Sequence, residues 1–260
     1  MHNLKFKQRR IISARKESIE QNRIRISFER SFTMRLVTLF NSIGTNGATT
    51  FESTGTQGVE VYFIQAQKQL DELFRRHYFE VIKTFAERLE VMIVKRENDF
   101  YTRLTSIFIQ TVGLKHISDI SATTLKYLRK VIIDSQKVGL SVAETAKKIK
   151  ERFSPRFVRA RANTIARTET HSAASFANHQ MGKELVNTGI SMQKQWVATS
   201  DERTREIHRI ANGTRVSIDE HFVVGGMKMQ YTGDPNGGAK NVINCRCVTL
   251  YIEEETRIIE

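Results

Sequence analysis

Apolar side chains recur at helical spacing along much of the first 180 residues. The clearest run lies between residues 62 and 112, and its members are Leu70, Phe74, Val81, Phe85, Leu89, Met92, Leu104, Ile107 and Phe108. This spacing places them on one face of a helix, and an unbroken helix of that length measures about 75 Å. Asn98-Asp99 is a candidate interruption, which favours two core helices over one rod, and Gly113 is predicted to end the pattern.

Capping and turn signals define the helices that follow. A helix is predicted over residues 121–138, with Gly139 just beyond its end. Ser141 and Glu144 form a capping box, in which each side chain satisfies a free backbone amide of the first turn. Ser154-Pro155 opens the next helix, because proline at the first helical position loses no intrahelical hydrogen bond.

One stretch in the N-terminal half interrupts the helical pattern. Residues 44–58 read GTNGATTFESTGTQG. Because Gly, Thr, Asn and Ser at this density favour turns and loops, a flexible loop is predicted here. The whole of residues 1–138 is predicted to form a helical arm or stalk that contains this loop.

The periodicity changes after Gly189. Residues 194–198 and 247–252 alternate well enough for strands, and residues 223–231 are typical of a β-hairpin. The sequence therefore predicts an α+β fold, in which a long helical N-terminal region is followed by a domain of helices and a small antiparallel sheet.

A second capping box is predicted at Thr199–Glu202, where Ser, Asp and Thr precede a short apolar pattern. The helix that it opens would place Arg205, His208 and Arg209 within one turn. These three side chains are therefore expected on neighbouring positions of one surface.

The charge balance is strongly basic. The 260 residues carry a net charge of +13, and the first 40 contain ten Lys or Arg against three Glu. A field of this sign favours polyanions, and no sequence-specific DNA-binding motif accompanies it. Non-specific DNA contact is predicted for the basic residues Lys5, Lys7, Arg9, Arg10, Arg15 and Lys16, the alternative being a solvated face.

Membrane and secretory signals are missing from the sequence. No run of about 18 uncharged apolar residues occurs, so no membrane span is predicted. The first ten residues are basic without the apolar stretch of a secretory signal. Folding in a cytoplasm is therefore expected.

Glu169 falls in the middle of an apolar helical stripe formed by residues such as Ile165 and Ala173. An unpaired buried carboxylate is costly, so a buried Glu169 requires partners. Arg167 and Thr168 are candidates for an internal polar network around it. The alternative places Glu169 at the margin of the stripe, in contact with water.

Cys245 and Cys247 are separated by one residue, a spacing at which two cysteines rarely form a disulfide with each other. Two thiolates on one side of a strand make half a zinc site, and His208 is the candidate third ligand. Asp201, His221 or His179 are the candidates for a fourth. The alternative is that both cysteines are buried structural thiols.

Two catalytic interpretations deserve comparison. Asp201, Arg205 and His208 form the residue set of a metal-independent ribonuclease, with histidine as general acid or base and arginine on the phosphate. The same side chains also suit polar links to residues 244–247. ADP-ribosyl transfer is suggested by Arg167 and Glu253-Glu254-Glu255, but no Ser-Thr-Ser strand lies between them.

Five motifs occur in a fixed order, and they read AETAKKI, IARTETHSAASFA, WVATSDERTREIH, YTGDP and INCRC. In this order and spacing the chain resembles the phage Mu F-like minor head proteins, through their head-morphogenesis domain. The resemblance covers about residues 139–250, and it assigns the head-morphogenesis domain to residues 139–260. Its motif positions include Asp234, Pro235, Cys245 and Cys247. The remaining ones are expected to form a structural polar network: Arg167, Thr168, Glu169, Trp196, Asp201, Arg205, His208, Asn244 and Arg246.

The resemblance implies a non-enzymatic minor protein of a tailed-phage or prophage head. Such a protein associates with the portal inside the capsid and acts in head assembly and in genome packaging or delivery. The implied partners are the portal protein, packaged double-stranded DNA, and a scaffold or major capsid protein, with no membrane. The implied location is the virion interior, and the host cytoplasm during assembly. A nuclease or toxin-like enzyme that uses His208 and Arg205 is the alternative.

Overall fold

The computed structural model describes residues 14–90 and 97–253. Several residues singled out above lie outside this part of the chain, namely Lys5, Lys7, Arg9, Arg10, Met92, Glu254 and Glu255. Within it, a long N-terminal helix followed by further helices and a small antiparallel sheet confirms the predicted α+β class. In the two described ranges, no helix combines the length and the apolar character needed to cross a membrane.

The helices and strands follow one another in a simple order. The helices are α1 (Ala14–Glu90), α2 (Asn98–Phe108), α3 (Leu114–Lys137), α4 (Val142–Arg152), α5 (Pro155–Asn187), α6 (Glu206–Ile210) and α7 (Gly238–Val242). A π-helical turn (Ile109–Gly113) joins α2 to α3, and a 3-10 turn (Pro235–Gly237) precedes α7. The strands are β1 (Met192–Val197), β2 (Arg215–Ser217), β3 (Phe222–Val224), β4 (Met227–Met229) and β5 (Val248–Glu253).

The flexible loop predicted at residues 44–58 is wrong, because this stretch is part of α1. Gly44, Gly47, Ala48 and Phe51 are buried at helical spacing. A Cβ added to Gly44 would lie only 2.4 Å from Phe153 Cβ, so glycine permits close packing at this position. Gly44 therefore serves helix packing, although it suggested a loop in the sequence.

Gly55 divides α1 into two helical segments. Its φ of 67° and ψ of −158° are non-helical and lie in a region that favours glycine. Phe32 and Phe74, on opposite sides of this break, pack edge to face with ring centroids 5.0 Å apart. The Tyr62 hydroxyl donates to the Ser42 carbonyl oxygen at 3.3 Å. The two segments therefore run antiparallel in this region.

The helices after α1 agree with several local predictions. Ser141 and Glu144 make both hydrogen bonds of the predicted capping box, and α5 begins at Pro155. The predicted end at Gly113 is wrong: its φ of −61° and ψ of −43° are helical, and the chain continues directly into α3. Gly113 is buried, so packing outweighs its low helix propensity.

The sheet is antiparallel, with β1 in the centre and the order β2-β1-β5. The predicted hairpin is present as β3 and β4, and Gly225 and Gly226 occupy its turn with φ values of 57° and 79°. The three-residue strand β2 was not predicted, because it is too short to show an alternating pattern. The core beside the sheet contains Trp196, Phe222, Val224, Met229, Val242, Cys245 and Cys247.

The chain divides into two compact units. Of the described residues, the first unit takes those up to Phe28, Tyr78–Ser106 and everything from Arg167 onward, and the second takes Glu29–His77 and Ile107–Ala166. The first unit contains the sheet and the candidate site residues that follow Ala166. The domain boundary predicted at residues 138 and 139 stays a prediction.

Candidate functional site

The short segment 243–247, just before β5, forms hydrogen bonds with several distant side chains. Arg205 donates from Nη2 to the Ile243 carbonyl oxygen at 2.6 Å. The Asn244 backbone amide donates to Thr168 Oγ1 at 3.2 Å, and Arg167 Nη1 donates to Asn244 Oδ1 at 3.3 Å. Asn244 has a φ of 58°, so these bonds hold a backbone conformation that few residues adopt.

Arg246 and Asp201 form a bidentate ion pair. Arg246 Nη2 donates to Asp201 Oδ1 at 2.8 Å, and Nη1 donates to Oδ2. The hydrogen bonds from Arg246 hold the pKa of the Asp201 carboxyl well below its usual range. A bidentate arginine fixes both the position and the orientation of its partner. This pair therefore anchors residues 245–247 to the loop before α6.

The second capping box, predicted at Thr199–Glu202, is wrong. Helix α6 begins at Glu206, and its N-cap residue Arg205 makes no side-chain cap. Asp201 instead accepts from the backbone amide of Arg203 at 3.1 Å and from the Thr204 hydroxyl at 3.0 Å. Asp side chains commonly stabilise such turns. Because residues 201–204 form this turn, the helix begins at Glu206 and not at the predicted capping box.

Two further residues bind the same segment, and the sequence interpretation missed both. Arg25 of α1 donates from Nη2 to the Arg246 carbonyl oxygen at 2.9 Å and from Nη1 to the Cys247 carbonyl oxygen at 3.4 Å. His171 Nε2 lies 3.0 Å from the same Cys247 oxygen. Burial lowers the pKa of His171, so the neutral ring donates from Nε2. The sequence contains a signal for His171, which lies in the RTETH motif, but none for Arg25.

Glu169 is 4% exposed, so the alternative that places it in water is wrong. Its Oε2 accepts a 2.8 Å hydrogen bond from the hydroxyl of Tyr78 in α1. Burial, together with the charge of Glu169, raises the pKa of Tyr78 well above its ordinary value, so the phenol remains a donor. Glu169 therefore belongs to a buried polar contact between α5 and α1.

Cys245, Cys247 and His208 converge in one cluster. Their exposed fractions are 2%, 2% and 1%, and His208 Nδ1 lies 3.7 Å from Cys245 Sγ and 3.4 Å from Cys247 Sγ. The hydrogen bond between the two sulfurs raises the pKa of Cys245 and lowers that of Cys247 to about 5. The pair therefore tends to share one proton.

Trp196 packs against this cluster through its ring. The ring is fully buried and meets His208 edge to face at 5.4 Å and Phe222 at 5.5 Å. Among the described residues, its Nε1 has no hydrogen-bond partner. Trp196 therefore positions His208 by packing. Its Nε1 makes no hydrogen bond with the described residues, so the predicted place of Trp196 in the polar network is not observed.

In the described chain, the potential ligand atoms of His208, Cys245 and Cys247 lie within 4.8 Å of one another. The three candidates for a fourth ligand are not part of this group. Asp201 is held by Arg246. His179 packs on Tyr231 with ring centroids 5.2 Å apart, and His221 lies 3.1 Å from the Gln230 side chain.

Comparison with known proteins identifies the class of this site-bearing segment. Residues 126–250 match the sequence model of the family described as Phage Mu protein F like protein. This match agrees with the resemblance seen in the sequence, and the matched part of the chain contains all the residues named above that contact segment 243–247, except Arg25. No solved structure matches the chain.

Three curated relatives are similar to part of this chain. The minor head protein GP7 of Bacillus phage SPP1 is 32% identical over 119 residues, which are 44% of this chain and 36% of GP7. The NAD(+)--arginine ADP-ribosyltransferase EFV of Enterococcus faecalis is 34% identical over 116 residues, 44% of this chain and 23% of the transferase. The uncharacterized protein YqbB of Bacillus subtilis is 27% identical over 129 residues, which are 48% of this chain and 41% of YqbB. Each match thus spans less than half of the relative's length.

Proposed function

We propose that this chain acts as a structural minor head protein of a tailed phage or prophage. It sits inside the capsid near the portal and takes part in head assembly and in genome packaging or delivery. The match of residues 126–250 to the Phage Mu protein F-like family and the similarity to minor head protein GP7 support this proposal. Its partners are then the portal protein, the packaged DNA, and scaffold or major capsid protein.

The observation that carries the structural role is the direction of the charged side chains. Arg25, Arg205 and Arg246 donate hydrogen bonds to backbone carbonyls or to Asp201. Side chains oriented in this way toward the protein itself do not form the open cation clamp that a substrate phosphate requires. The motif residues of this domain therefore brace segment 243–247.

His208 argues against the nuclease alternative. A general acid or base must come within hydrogen-bond distance of the reacting group. His208 is 1% exposed, and its Nδ1 faces the two cysteine sulfurs. The ADP-ribosyltransferase match supports an enzyme here only weakly, because it covers 23% of that protein.

DNA contact belongs to the same proposal. The net charge of +13 favours packed DNA, whose phosphates give salt-dependent affinity without sequence readout. Of the predicted contact residues, Arg15 and Lys16 are described, and both are exposed near the start of α1. This exposure of both residues fits contact with a DNA backbone.

Localisation in particles tests the proposal. Particles from an induced host that carries a tagged copy of the gene are purified, treated with protease, and then disrupted. We expect a few copies per particle that are protected until disruption and that co-purify with the portal. Absence of the protein from purified, genome-filled heads would contradict the assignment.

An activity assay separates the enzyme alternative from the structural role. Purified protein is incubated with RNA, with DNA, and with NAD and an arginine-containing protein. We expect no turnover by the wild-type chain. Cleavage or ADP-ribosylation that disappears in His208→Ala or Arg205→Ala, while the far-ultraviolet circular dichroism stays unchanged, would favour an enzyme.

A further inference from the structure

We propose that Cys245, Cys247 and His208 bind one zinc ion, which fastens α6 to the segment before β5. This inference goes beyond the proposed head-protein role and is independent of it. The two sulfurs and the imidazole nitrogen are the donor types that zinc prefers. All three side chains are at least 98% buried and come from two separate elements of the chain.

The distances fit a tetrahedral metal centre. With zinc bonds of about 2.3 Å to sulfur and 2.05 Å to nitrogen, a tetrahedral angle separates a sulfur from a nitrogen ligand by roughly 3.6 Å. The two observed separations from His208 Nδ1 are 3.4 Å and 3.7 Å. A single ion can therefore reach Nδ1 and both sulfurs with little movement of the side chains.

The charges of the ligand set suit a divalent cation. Two thiolates and a neutral imidazole offset the two positive charges of the ion, and binding releases the thiol protons to solvent.

The protein environment also fixes the ligands from behind. Arg25 and His171 hold the Cys247 carbonyl oxygen, and Arg246 between the two cysteines is held by Asp201. Trp196 packs edge to face on the His208 ring. Such outer contacts orient metal ligands and are a regular part of metal sites.

A small cavity adjoins the three proposed ligands. Its lining includes Thr199, Arg203 and Thr204 together with the three ligands. Thr199 Oγ1 is buried and, among the described residues, has no hydrogen-bond partner. A zinc-bound water in this cavity would supply that partner and complete four-coordination, so we assign the fourth position to water.

Metal content of the purified full-length chain tests the site. The protein is prepared under reducing conditions from zinc-supplemented cells and analysed by inductively coupled plasma mass spectrometry. We expect about one zinc per chain, lost in Cys247→Ser and in His208→Asn. His221→Asn, an exposed histidine change outside the cluster, is the matched control and keeps the metal; loss of zinc in that variant would overturn the three-ligand assignment.

Cobalt substitution keeps the proposal testable if the cysteine variants fail to fold. Wild-type protein stripped with chelator and refilled with Co²⁺ should show the intense d–d bands of a tetrahedral site and a thiolate charge-transfer band. Chelator alone should lower the melting temperature of the wild-type chain. Reduced wild-type protein that takes up neither metal, or that is isolated with Cys245 and Cys247 joined as a disulfide and stays metal-free after reduction, would refute the site.

Discussion

Tyr78 of α1 donates a 2.8 Å hydrogen bond to Glu169 of α5, and both side chains are buried. The two residues are 91 positions apart in the sequence. A buried carboxylate is tolerated only where donors compensate for its lost hydration, so this contact explains how a charge occupies the middle of an apolar stripe.

Tyr78→Phe removes this donor while keeping the ring. We expect the free energy of unfolding to fall by about 1.5–3 kcal/mol, the usual worth of a hydrogen bond to a charged group. Urea unfolding followed by circular dichroism measures the change. Tyr62→Phe is the matched control, because its 3.3 Å bond goes to a neutral carbonyl oxygen in a half-buried place; equal losses in the two variants would contradict a special role for Glu169.

Asp201→Asn removes the charge that Arg246 binds but keeps an acceptor for Arg203 and Thr204. The folded-state pKa of Asp201 is depressed, so its stabilisation is present above an unfolded pKa of about 3.9 and is lost as the pH falls below it. Because the Asp201 side chain is 31% exposed, we expect only about 0.5–1 kcal/mol at pH 7.

The measurement for Asp201→Asn is the free energy of unfolding at pH 7, 4 and 3, and the difference between the variant and the wild type should shrink as the pH falls. Asp134→Asn serves as the control, since the Lys130–Asp134 pair lies on an exposed helix surface. A difference between wild type and Asp201→Asn that stays constant with pH would show that the ion pair contributes nothing.

Lys194 is a buried cation that donates to the Ile218 carbonyl oxygen at 2.8 Å and to Gln230 Oε1 at 2.6 Å. Burial lowers the pKa of Lys194 to about 8. The unfolded chain, with a lysine pKa of about 10.4, holds more protons between these values, so stability from this group rises with pH. Between pH 7.5 and 9.5 the wild type should gain about 1–2 kcal/mol relative to Lys194→Met.

The check on Lys194 is a series of urea unfolding curves over that pH range. Lys148→Met is the control, because Lys148 lies on an exposed surface of α4. The stability of Lys148→Met should change with pH as that of the wild type does. If the stability of Lys194→Met also changes in this way, the prediction is wrong.

Gly233 and Gly226 separate backbone strain from steric clash. Both have a positive φ, 80° and 79°, but an added Cβ meets His171 Nδ1 at 2.7 Å at Gly233 and nothing within 4 Å at Gly226. We expect Gly226→Ala to cost roughly 1–2 kcal/mol from the left-handed backbone alone. Gly233→Ala should cost more, because it displaces the buried His171 ring that contacts Cys247. Thermal unfolding of the two variants measures the difference, and equal melting temperatures would contradict the clash.

Arg15→Gln combined with Lys16→Gln tests DNA contact at the start of α1. The slope of log K against log salt concentration should become less steep by up to about 1.8, since each lost phosphate contact reduces the slope by about 0.9. Fluorescence anisotropy with a duplex at several salt concentrations gives both slopes. Lys147→Gln with Lys150→Gln makes the same charge change on exposed positions of α4. Equal slopes for the two double variants would remove α1 from the DNA interface.

Local interactions were readable from the sequence. The Ser141–Glu144 capping box, the start of α5 at Pro155 and the Gly225-Gly226 turn all depend on residues within four positions of each other. The proximity of His208 to the two cysteines also agrees with the sequence prediction, which rests on the rarity of cysteine and histidine in this chain.

Interactions between distant positions were not readable. Arg25 is 222 residues from Cys247, and in sequence it resembles any other basic residue of an exposed helix. Gly44 looked like a loop residue because its packing partner, Phe153, lies at the C-terminal end of α4, more than a hundred residues away. At Asp201 two local structures compete, a capped helix and a tight turn, and the ion pair with Arg246 selects the turn.

The strand order has a consequence for synthesis on the ribosome. Strand β1 can pair with β2 as soon as residue 217 has emerged, but its other edge waits for β5, which begins roughly 30 residues later. At about 5–20 residues per second, that edge stays open for a few seconds. An unpaired strand edge invites pairing with other chains. Nascent chains crowded on one message are therefore most prone to cross-pairing during this interval.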